Sequence, residues 1–152
     1  SKNSDKVRVA NFHVPMYPAC FDNIYDVNLA EDSVKYWGPI FEEHNFAGVF
    51  ENHKHLYKKT FPLVGGEVQP EGEGVVYFGD GNWGIDPDDC IRTGHGNGNQ
   101  TGLLEVASDM THVWLINITQ TDLKFFAINQ TGQVFDKEYH LLVENYINKE
   151  KK

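Results

Sequence analysis

The chain has 152 residues, 40% hydrophobic and 23% charged, with a formal net charge of −9. That length and balance suit one globular domain and exclude a wholly disordered chain. An acidic surface repels nucleic acid and anionic membrane, and no apolar run reaches the roughly eighteen residues that a membrane-spanning helix needs.

The first residues, SKNSDKVRVANF, lack the apolar segment of a signal peptide and do not begin with Met, which suggests a processed chain or a fragment. Val7 to Phe12 partly alternates and predicts a short buried strand. Pro15 and Pro18 end it in a rigid loop. His13 therefore stands at the C-terminal tip of a strand, where ligands collect in α/β proteins. Residues 28–45 predict a helix: Asn28 and Glu31 form a capping box, and Val34, Trp37 and Phe41 make an apolar stripe. Pro39 splits that helix after Gly38. Phe46 to Phe50 is a short apolar run that predicts a second buried strand. Strand, helix and strand together make a βαβ unit, which implies a parallel sheet.

Downstream the character changes. VVYFGDGNWG (residues 75–84) predicts a strand running into a glycine-rich turn, followed by a polar loop. HVWLINIT, LKFFAIN and QVFDKEYHLL then recur at spacings of about ten residues, broken by Thr121-Asp122 and Thr131-Gly132. This predicts a β-meander. With a solvated NKEKK end and no repeat or linker, residues 1–152 read as one unit of α/β class.

The segment ENHKH places His53 and His55 directly after the second strand. Parallel strands bring their C-terminal tips to one edge, so the βαβ unit sets His13 near this pair. On extended backbone, positions i and i+2 face the same way about 6–7 Å apart. Metal–nitrogen bonds are only about 2.0–2.1 Å. The pair can close on a single ion if the loop curls, or hold one ion each in a site whose ions lie about 3.5–4 Å apart. It can equally consist of loop histidines bonded to backbone. Neutral imidazole suits zinc, iron, copper and nickel. Glu51 precedes the pair and is expected to point away from it. His44 complements a helix end, His95 lies on the glycine loop, His112 opens a meander strand, and His140 is near the end. The nearest thing to a basic patch is Lys54 with Lys58 and Lys59.

Three N-x-[ST] sequons, at Asn99, Asn117 and Asn129, predict a glycosylated chain that is secreted, extracellular or in a lysosome-like compartment. Two cysteines, Cys20 and Cys90, fit one disulfide or two thiols.

NFHVPMYP, YWGPIFEEHNFAGVFENHKHLYKKTFPL and VVYFGDGNWG, in that order, resemble the C-terminal half of a calcineurin-like metallophosphoesterase of the purple acid phosphatase branch. The resemblance runs from about Val7 to Leu142. It implies an α/β/β/α sandwich and two metal ions, iron with zinc or manganese. His13 and His53 would hold the second ion and His55 the first. The implied reaction is hydrolysis of phosphate esters by a metal-bridging hydroxide, as in an acid phosphatase. The family's earlier motifs (Asp-x-His, Gly-Asp with a nearby Tyr, Gly-Asn-His) have no counterpart in this sequence. The resemblance therefore implies a partner, the N-terminal half of the same precursor. Asn52 stands where the family has glycine before H-x-H. Asp22 and Asn23 stand where the branch often has histidines near the leaving group, which leaves the general acid unassigned. Two other readings stay open: a non-catalytic secreted glycoprotein that keeps the fold, and a self-contained module with one zinc ion at His13, His53 and His55. A Cys20–Cys90 disulfide would rim the site, although either cysteine can pair with the missing half.

Overall fold

The computed structural model describes residues 6–20, 24–79, 82–87 and 102–147. Along the chain come β1 (Val9–Phe12), α1 (Ile24–Tyr36), α2 (Gly38–Glu43), β2 (Gly48–Glu51), β3 (Tyr57–Thr60), β4 (Leu63–Val64) and β5 (Glu67–Val68). They are followed by β6 (Tyr77–Gly79), β7 (Leu104–Ser108), β8 (His112–Ile118), β9 (Asp122–Asn129), β10 (Tyr139–Leu142) and α3 (Val143–Ile147).

β1 and β2 pair in parallel, with Phe12 opposite Glu51, so the strand–helix–strand crossover forms as the sequence implies. The helical segment begins at Ile24, and Asn28 lies inside α1 and does not cap it. The helix does split near Pro39, but before Gly38 and not after it: α1 ends at Tyr36, and Pro39, which has no N–H for the helical ladder, sits in the first turn of α2, where none is needed.

The first sheet has the order β1-β2-β6-β3-β7. β6 pairs in parallel with β2 and antiparallel with β3, so a strand late in the chain fills a gap between two earlier ones. The expected meander is realised as the second sheet, β10-β9-β8. QVFDKEYHLL is not one strand: Val134 makes a single bridge to Ile128, and pairing resumes only at Tyr139. Among the described residues no helix is long and apolar enough to cross a membrane.

Alternation along the strands divides the interior. Phe50 and Phe78 face the second sheet and meet Phe125, Tyr139 and Leu141 there. Val49 and Tyr77 face the helices and pack with Met16 and Phe41. The layers are thus helix, sheet and sheet, and a strand buried on both faces reads as a continuous apolar run, as GVF does. The Phe78 ring stacks on Phe125 at 4.9 Å and meets Trp114 edge-on at 4.9 Å. Gly48 permits this close approach, because a Cβ there would stand 2.9 Å from Phe78 and 3.2 Å from Phe125.

Candidate functional site

The C-terminal tips of β1 and β2 are sewn together by Asn52. Its backbone N–H donates to the His13 carbonyl at 3.0 Å. Its side-chain amide donates to the Phe12 carbonyl at 2.6 Å and to Asn11 Oδ1 at 2.8 Å. These bonds extend the parallel ladder past the strand ends and fix the backbone that carries His13.

The segment after Asn52 is not extended. His53 and His55 both have left-handed backbone, at φ 76° and 49°. Side chains other than glycine rarely adopt this region, and such strain gathers at functional sites. The two histidines therefore lie on a curled loop and not on extended backbone. His53 turns toward His13, with its Nδ1 3.1 Å from His13 Nε2. His55 is half-buried and is not brought into this contact.

Asp26, in the first turn of α1, closes the other side of His53. Its Oδ1 lies 3.6 Å from His53 Nε2, and its Oδ2 accepts from the Lys54 ammonium at 2.6 Å. Burial pushes the Asp26 carboxyl up, but the Lys54 bond and charge, followed by His53, outweigh it and hold it below the usual carboxylate range. Sequence reasoning missed Asp26, because the helix was expected to start two residues after it.

Beneath the loop lies a second charged pair. Glu51, fully buried at the end of β2, accepts from the Met16 N–H at 2.8 Å and from the Lys58 ammonium. Lys58 also donates to the Tyr17 carbonyl at 2.5 Å. Burial lowers the Lys58 pKa against the opposing pull of Glu51. Through these bonds Glu51 ties the loop after His13 to β2 and β3. Lys54, Lys58 and Lys59 form no basic surface patch. All three are buried, and Lys59 pairs with Asp136 at 2.8 Å, so these cations are neutralised inside the fold.

The remaining expectations divide between described and undescribed positions. His112 is buried, with Nε2 3.1 Å from the Gly79 carbonyl, and His140 meets Asp122 at 2.7 Å; both are structural contacts. Asn117 is exposed on β8. Asn129 is half-buried, and its Oδ1 accepts from Thr131 N and Gln133 N at 3.0 Å each. Cys20 is buried and is not a free thiol. Asp22, Asn23, Cys90, His95 and Asn99 lie outside the described residues.

Among the described residues no group of three or more His, Cys, Asp and Glu side chains is arranged to hold a metal ion. Two ring nitrogens do converge, His13 Nε2 and His53 Nδ1. Their 3.1 Å separation suits a hydrogen bond, and it also suits two bonds of about 2.0–2.1 Å meeting at one ion. The pair fits half of a metal's ligand set.

No family model matches the sequence, and no curated protein matches it. Among solved structures, the purple acid phosphatase PPD1 from seeds of yellow lupin (Lupinus luteus) superposes with a TM-score of 0.68 at 12% identity. The match covers 88% of this chain and 24% of the lupin chain, so this chain spans about a quarter of that protein's length. A conserved uncharacterised protein from Streptococcus pneumoniae, described as a predicted phosphoesterase, aligns with a TM-score of 0.38 at 12% identity. That alignment covers 78% of this chain and 51% of the other, and at such a score it carries no weight. The shared feature is the fold: a mixed α/β domain with a parallel βαβ unit and antiparallel strands, matching part of the purple acid phosphatase structure.

Proposed function

We propose that this chain is the C-terminal part of a metal-dependent phosphate-ester hydrolase, supplying His13 and His53 to a binuclear site. The observation that carries this reading is the convergence of His13 Nε2 and His53 Nδ1 at the tips of adjacent parallel strands in a fold shared with a purple acid phosphatase. The remaining ligands, carboxylates and an amide, would come from a preceding segment of a longer polypeptide, in keeping with the greater length of the lupin protein. His55 would reach the first ion from the same loop. Iron with zinc or manganese would lower the pKa of bound water and draw charge from the phosphoryl oxygens. The chain's own part is to fix two imidazoles at the ends of adjacent strands. Exposed Asn117 supports a glycosylated, secreted form.

The test is the particle purified from its natural source. The expected result is a native mass well above one glycosylated 17.3 kDa chain, about two transition-metal ions, and turnover of an aryl phosphate that is lost in His53→Ala. A lone chain without ions or turnover refutes the reading. One observation favours a non-catalytic glycoprotein with the same fold: the Lys54 ammonium sits on Asp26 beside His53, and a fixed cation opposes a bound one. A particle of that mass with neither bound ions nor turnover would select that alternative.

A further inference from the structure

The His53 ring offers its two nitrogens to different neighbours. Nδ1 faces His13 Nε2 at 3.1 Å, and Nε2 faces Asp26 Oδ1 at 3.6 Å. The second distance is in ion-pair range and beyond a hydrogen bond, yet it decides the proton. A neutral imidazole has one N–H and one lone pair. With the lone pair on Nε2, it would point at the lone pairs of the carboxyl oxygen 3.6 Å away. With the N–H on Nε2, the positive edge of the ring meets that carboxylate and the Nδ1 lone pair is left for His13.

We infer that Asp26 is a positioning residue for His53: its carboxylate keeps the proton of the neutral ring on Nε2 and so presents the Nδ1 lone pair toward His13. Carboxylates behind metal-bound imidazoles do this commonly, and removing one typically costs about 10–100-fold in metal affinity. The consequence for metal affinity rests on the hydrolase reading; the tautomer itself does not. Lys54 tempers the effect, since its ammonium draws on the same carboxylate from the Oδ2 side. Asp26 also comes from α1, two elements away from the histidine loop, so helix and loop are locked in register by one side chain.

The test uses the full chain labelled with ¹⁵N-histidine. Asp26→Asn alone would take from the buried Lys54 ammonium the charge of its 2.6 Å partner, so the comparison is Lys54→Met against Asp26→Asn/Lys54→Met. At a pH where the rings are neutral, the expected result is a protonated Nε2 and a bare Nδ1 for His53 in the wild type and Lys54→Met. The double variant should show both tautomers, and its zinc affinity should fall about 10–100-fold below that of Lys54→Met. An unchanged His53 tautomer in the double variant overturns the inference. A shifted tautomer combined with zinc binding that His13→Ala does not weaken supports the positioning role and overturns the metal reading instead.

Discussion

Lys58 donates to Glu51 at a depth where neither side chain meets solvent. Breaking one partner of such a pair costs about 3–5 kcal/mol, because the other charge is left uncompensated. Glu51→Gln keeps an acceptor for the Met16 N–H and removes only the charge. We expect Glu51→Gln and Lys58→Met each to lose stability on that scale, and the double variant to lie closer to wild type than either single one. Urea unfolding midpoints measure this, and losses that simply add would contradict it.

Gly48→Ala should cost about 1–3 kcal/mol. The new methyl would overlap Phe78 and press on Phe125, and overpacking a filled core carries a penalty of that order. Thermal unfolding reads it out. Gly66→Ala is not an equivalent control, since its backbone is itself left-handed at φ 78°.

The loop strain is open to measurement at His55, where φ is 49°. Glycine occupies that region freely, so His55→Gly should be more stable than His55→Ala by about 1 kcal/mol. If His55 serves a metal, both variants should lose metal affinity equally. Equal stabilities for the two variants would mean the backbone there carries no strain.

Acid should erode the fold through Asp26 and Asp136. Burial raises each carboxyl, but Lys54 with His53, and Lys59 with Tyr57, more than reverse this, so both folded pKa values lie below the unfolded ones. Such groups add stability that is complete above about pH 4 and is lost as the pH falls through the folded pKa. Asp136→Asn should therefore lose about 1–3 kcal/mol at neutral pH and lose less than wild type on going to pH 3. Urea titrations at the two pH values check the slope.

The sequence was most legible where chemistry is local. Pro39 announced the break between α1 and α2, and two apolar runs joined by a helical segment announced the parallel pairing that sets His53 against His13. It was opaque where a residue's partner is distant. Lys58 and Lys59 read as the nearest thing to a basic patch, and β3 went unseen, because their partners Glu51 and Asp136 stand 7 and 77 residues away. The hairpin strands β4 and β5 are two residues each, too short to show a period. The curl at His53 could not be read either. A left-handed residue that is not glycine is imposed by its surroundings, here the Asn52 bonds on one side and buried Lys54 on the other.

The strand order has a kinetic consequence. Neighbours β8, β9 and β10 follow one another in the chain, and Thr119 closes the β8–β9 turn by accepting from the Asp122 N–H at 2.9 Å. The other sheet cannot grow this way. Tyr57 waits for Ser108, and β2 and β3 both wait for β6 to slot between them. Local contacts form early and distant ones late. Pulse-labelled hydrogen exchange during refolding should thus find the amides of β8 and β9 protected before those of β2 and β6. During synthesis, the strands that carry the histidines would be the ones left longest with unpaired edges.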